Sequence, residues 1–203
     1  MATGLSSHFV AMARNNIWAN HRLLGACMAL TSAEFTAART SFFPSLRATL
    51  NHILWVDTYY IDALERDPTV LARYDDPPPD FADAASLYGV QIASDRRLLG
   101  FCARQTDHSL AEGLVLPRPK RTPPPSTVAS ILEHLFQHQI HHRGQAHAML
   151  AGTGLGNDPF FPHALDHKSL AHDVVGLVGP GVVQVFTLEI NLCAAQPLTP
   201  ARC

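Results

Sequence analysis

Hydrophobic positions in this chain recur with a helical period over four long stretches. Between about residues 5 and 30, Phe9, Met12, Ile17, Leu23, Leu24 and Met28 follow one another at intervals of mostly about three to six. From about 44 to 65, PSLRATLNHILWVDTYYIDALE is apolar on more than one face, which predicts a helix packed on two neighbours, with Pro44 suited to its first turn. A third stretch spans about 81 to 105, where Asp80 follows PPP and is placed to cap it. The fourth runs from about 127 to 151 behind a second PPP, with Ser126 as the cap and Gly152 and Gly154 as the stop. Proline-rich loops over 68–79 and 115–125 separate the last three stretches, and GLVLPRP before the fourth suits a short extended crossover. Helices of this length joined by long loops predict an all-α fold, a four-helix bundle with long connections.

Beyond Leu155 the period changes. In PGVVQVFTLEINL, Phe186, Leu188, Ile190 and Leu192 alternate with Thr187, Glu189 and Asn191, a strand pattern, and VVGLV with the turn GPG offers a hairpin partner. A lone hairpin is marginal unless it packs on something. Residues 1–155 therefore read as the bundle and 156–203 as an appendage of β-hairpin character.

Composition narrows the function. The chain has 203 residues, is 47% hydrophobic and 16% charged, and so can bury a proper core. A net charge of −2 gives no electrostatic case for nucleic acid, which calls for a basic excess. Arg118, Lys120 and Arg121 form a small basic knot that reads as a solvated turn. Cys27, Cys102, Cys193 and Cys203 are far apart with no C-x-x-C pair, as expected of thiols in a reducing compartment. Neither a signal peptide nor a membrane span is apparent, so the expected location is the cytoplasm.

The chemistry concentrates in HLFQHQIHHRGQ, residues 134 to 145, where four histidines occur with no carboxylate. On a helical wheel with Ile131 at 0°, Leu135, Ala146 and Met149 lie near about 40°, 60° and 0° and mark the apolar stripe. His138 and His142 fall inside that stripe, at about 340° and 20°; His134 and His141 lie on its border, and His147 and Arg143 lie outside it. An inward pair at i, i+4 can converge on one cation, the mechanics of helical zinc motifs. A third ligand is required. His52 in LNHILWVD is a candidate; His21 and His108 compete, and His8 sits too near the terminus. A carboxylate-bridged di-iron site is excluded, because Glu133 is followed three residues later by Phe136 rather than histidine.

NIWANHRLL, SFFPSLRATLNHILWVD and HLFQHQIHHRGQAHAML together resemble the DinB family, part of a wider superfamily that includes thiol-dependent transferases. The resemblance covers roughly residues 8 to 155. It implies a bundle that binds one divalent metal through three histidines, matching His52, His138 and His142 here, and a homodimer. Arg143 and Gln145 match its recurrent RGQ and read as structural, tying the last helix to a neighbour or a dimer partner. The tail has no counterpart in the resemblance.

Three neutral imidazoles leave an open position on the metal, the mark of a catalytic rather than a closed structural site. Zinc or nickel suits such ligands. Three readings remain open: a metal-dependent thiol transferase joining a small thiol to an electrophile, a non-catalytic metal-binding stress-response or interaction module, and a metal-dependent hydrolase. The hydrolase lacks an inward acid or base, Asp57 being at most an outlying candidate. Trp18, Trp55, Tyr59 and Tyr60 are candidates to line a pocket over the metal.

Overall fold

The computed structural model describes residues 4–75, 80–118, 123–153 and 155, all within the unit Met1–Gly156. The expected appendage, with Cys193 and Cys203, lies outside the described residues.

Four long helices form the bundle: α1 (Leu5–Met28), α3 (Leu46–Leu64), α5 (Ala84–Ala103) and α7 (Val128–Ala151). Three short ones join them: α2 (Ser32–Thr36), α4 (Val70–Asp75) and α6 (Asp107–Leu110). The fold is all-α, as the periodicity predicts. The α1 helix packs chiefly on α5 and α3 on α7, while α3–α5 and α1–α7 contacts close the ring. On α3, 14 of 19 residues are buried, which explains why its sequence is apolar all round.

The helix ends correct several expectations. Ser45, not Pro44, opens α3, its hydroxyl accepting from the Ala48 amide at 3.1 Å. Asp83, not Asp80, caps α5, and Thr127, not Ser126, caps α7. Asp80 and Ser126 also carry capping side chains, but the bonds are made by Asp83 to the Ser86 amide and by Thr127 to the Ser130 amide. Ser126 instead pairs with Leu114 in a two-residue antiparallel ladder, β1 (Gly113–Leu114) with β2 (Ser126–Thr127). This ladder is the extended piece expected before the last helix. The first proline-rich loop carries α4, which its prolines had disguised.

The core is built from Phe9 and Ala13 of α1, Ile61 and Leu64 of α3, Leu98 and Phe101 of α5, and Leu132, Leu135 and Phe136 of α7. Phe9 and Phe136 stack at 6.2 Å. At about 0.8 kcal/mol per buried CH₂, this apolar contact dominates the attraction between helices.

A polar knot crosses that core. Asp57 of α3 and Asp95 of α5, both fully enclosed, share the amide of Gln91 at 2.8 and 3.2 Å. Asp95 also accepts from Asn16 and Asn20 of α1 at 3.1 and 3.0 Å, and Asp57 from Gln139 of α7. Arg143 of α7 donates to Asn20 at 3.1 Å, to Gln139 at 2.9 Å and to Asn16. Arg143 therefore points inward, contrary to the wheel. The buried face of α7 includes Phe136, Gln139 and Leu150 and is wider than the stripe that Ile131 and Met149 outline, so the position of Arg143 falls on its edge. Asp57 belongs to this knot rather than to a metal's surroundings.

Two carboxylates and one guanidinium leave a surplus negative charge where water does not reach. Burial, then repulsion from Asp95, pushes Asp57 up to about 8; burial pushes Asp95 up to about 7 against the amides that favour its anion. The fold thus retains protons that the unfolded chain, with an aspartate value of 3.8, has already released. Stability owed to this pair is present at low pH and declines as pH rises from about 4 through about 8.

In urea titrations across that window, Asp57→Asn, which mimics the protonated acid, is expected to flatten the decline relative to wild type. Arg143→Ala is expected to cost about 3 kcal/mol, because two acids then lose their cation.

Candidate metal centre

Ser45 caps α3 and Thr127 caps α7, and the two helices pack on each other with their histidines brought together. His52 projects from α3, His138 and His142 from successive turns of α7. Their nitrogen atoms lie within 4.8 Å of one another, and no described carboxylate or thiol joins them. His52 Nε2 and His138 Nε2 are 3.0 Å apart. Donors on a tetrahedral zinc with bonds of about 2.0–2.1 Å lie about 3.3 Å apart, so the three side chains fit a divalent cation with small adjustments.

The rings are held from outside. Gln145 Oε1 accepts from His142 Nδ1 at 2.8 Å, which leaves Nε2 as the ligating lone pair. The amide of Gln145 donates in turn to His141 Nε2 at 3.1 Å, fixing its own orientation. Phe43, in the loop before α3, packs on His52 at 4.2 Å and on His142 at 5.5 Å. His138 Nδ1 is buried without a hydrogen-bond partner among the described residues. A cation accepting lone pairs offsets the desolvation of rings placed this way.

The site is electrostatically tuned to stay neutral. Burial, followed by repulsion from His142, lowers His52 to about 4. Burial lowers His138 to about 3, with the neighbouring histidines adding to the shift. His142 is also lowered by burial, partly offset by its bond to Gln145. Neutral imidazole is the ligating form.

The other histidines do not join the cluster. His21 pairs with the Tyr88 hydroxyl, while His8, His108, His134, His141 and His147 are exposed. Cys27 and Cys102 are buried, and burial pushes both up to about 12, so they stay thiols away from the site. Sequence reasoning missed Gln145 as a partner of His142. Their i, i+3 spacing on one helix was the available signal.

His52 also forms part of the wall of a cleft of about 650 Å³. Trp55 and Tyr59 line it, as expected, but Trp18 and Tyr60 do not. Tyr60 packs in the core, against Tyr59 and His134.

Because burial holds all three imidazoles below their ordinary value of 6.5, zinc affinity is expected to hold level from about pH 8 to about pH 6.5 and to be lost as pH falls toward about 4, in competition titrations with a chromophoric chelator. Gln145→Leu is expected to weaken zinc about tenfold with little change in fold, as read by the same titration and by circular dichroism.

The sequence pattern of the DinB family matches residues 1–164. Protein DinB of Bacillus subtilis (strain 168) is 24% identical over 148 residues, which cover 71% of this chain and 85% of that protein. The match takes in all four long helices and all three clustered histidines, and the chain belongs to the DinB family.

Proposed function

We propose that the protein holds one divalent metal ion, zinc or nickel, through His52, His138 and His142, and uses it to transfer a small thiol to an electrophile. The observation that carries this reading is the convergence of three imidazoles, with no fourth described ligand, beside a cleft whose wall includes His52. A divalent cation there supplies Lewis acidity that favours the deprotonated form of a thiol at neutral pH. The protein's own part is to present three lone pairs, to keep them unprotonated by burial, and to shield them with Phe43. The sulfur then forms its bond to an electrophilic carbon, the leaving group departs with its electron pair, and the thiol proton passes to solvent.

Water activation is less well supported. The carboxylate that commonly serves as general base beside a hydrolytic metal is missing, since no described carboxylate joins the cluster. The same observation favours, as the second reading, a non-catalytic metal-dependent module in which the ion stabilises the bundle as a ligand does. The homodimer implied by the family is part of the proposal as an assembly, to be checked by light scattering.

Elemental analysis of untagged wild type is expected to give about one zinc or nickel per chain, lost in His138→Ala. In cobalt-substituted protein, a small thiol is expected to shift the visible spectrum. Metal without that shift would move the conclusion to the binding module; no metal after reconstitution would remove both readings.

A further inference from the structure

The cleft beside His52 has a definite chemical character. Phe43, Trp55, Tyr59, Tyr74 and Phe81 supply aromatic walls, with Tyr74 at 5.0 Å from both Trp55 and Tyr59. Its volume, about 650 Å³, suits a small organic molecule. The polar groups of the lining are largely engaged elsewhere. Asn51 bonds the backbone of Phe81 through both ends of its amide, at 2.7 and 3.0 Å. Thr58 donates to the Leu54 carbonyl at 2.9 Å and Tyr59 to the Pro117 carbonyl at 2.6 Å. Asp62 pairs with Arg73 at 2.8 Å and with Arg97 at 2.6 Å, and Arg73 pairs also with Asp67. A charged ligand entering this cleft would lose hydration and find its natural partners already paired. An apolar, flat one would gain ring contacts at no such cost.

We propose that this cleft binds an uncharged, ring-bearing apolar molecule and holds its reactive carbon toward His52, so that the electrophile of the transfer is an aryl or arylalkyl compound rather than a charged metabolite. The identification of the ligand as the electrophile rests on the proposed thiol transfer; the preference of the cleft for uncharged aromatic ligands does not. Bond making and breaking are those of the transfer above, with the leaving group released as an anion from the cleft's mouth. Trp55, half-buried in the wall, reports occupancy through its fluorescence. Arg118 is the competing feature, its guanidinium lying 5.0 Å from the Tyr59 ring and 5.9 Å from that of Tyr74, where it could draw an anion instead.

Two probes sharing one ring system separate these possibilities: N-phenyl-1-naphthylamine, which is uncharged, and 1-anilinonaphthalene-8-sulfonate, which adds a sulfonate. Both are titrated into metal-loaded full-length protein, wild type and Ala48→Phe, which fills the cleft from the first turns of α3, and into His138→Ala. The uncharged probe is expected to bind at about one per chain with energy transfer from tryptophan, and the sulfonate about tenfold more weakly. Ala48→Phe is expected to weaken the uncharged probe about tenfold while its melting temperature stays near wild type. Retention of uncharged-probe binding in His138→Ala supports the cleft independently of the metal. Equal or tighter binding of the sulfonate, or indifference to Ala48→Phe, overturns the proposal. Wild type that binds the uncharged probe with these preferences yet holds no metal leaves the cleft standing and removes thiol transfer. Wild type that holds metal but does not bind the probe removes the cleft alone.

Discussion

Arg143 is the interaction around which this bundle is organised. Its guanidinium sits among amides from α1 and α7, within the field of two buried carboxylates from α3 and α5, so four helices meet at one cation. Burial works against its charge, while Asp95 and Asp57 sustain it. Apolar packing tolerates sliding by fractions of a turn, because Leu or Phe can repack against many neighbours. A hydrogen-bonded knot does not, since each displaced donor is left unpaired in a dry interior. The knot lies on the same helices as the histidines. Gln139 and Arg143 follow His138 and His142 by one residue each, and Asp57 lies about a turn and a half beyond His52. The register that satisfies Asp57 is therefore also the register that brings His52 Nε2 against His138 Nε2.

This accounts for what could be read without coordinates. Helix positions were legible because hydrophobic period survives any detail of packing. The inward pair on α7 was legible for the same reason: His138 and His142 share a stripe with Ile131 and Met149. His52 was one candidate among several, because a wheel says which way a side chain points on its own helix and nothing about which helix it meets. The family resemblance supplied that relation. For Arg143 the structural role expected of the RGQ stretch holds, since it ties α7 to α1, while its angle on the wheel points outward; the carboxylates and amides of three other helices are what make its burial possible. Cap residues were misplaced by one to three positions where two capable side chains stand close together, as Asp80 and Asp83 do. The choice there depends on loop geometry that sequence does not express.

Charge is handled in opposite ways a short distance apart. In the knot, acids and a base are buried together and their protons redistribute to suit. At the histidines, ionisation is suppressed altogether, leaving lone pairs and no counter-charge. An ion bound there would keep most of its charge for whatever enters the cleft. With an ion bound, that contrast would give a chain of ordinary composition and near-neutral charge a strongly electrophilic point.

His52 and His138 are 86 residues apart in sequence. An ion gripped by both would close a long loop and act as a removable cross-link between α3 and α7. Closing such a loop restricts the unfolded chain as well as bracing the folded one. The lifetime of the protein against proteolysis would then follow the supply of metal, so that starvation for the ion would be felt as loss of the polypeptide as well as loss of its chemistry.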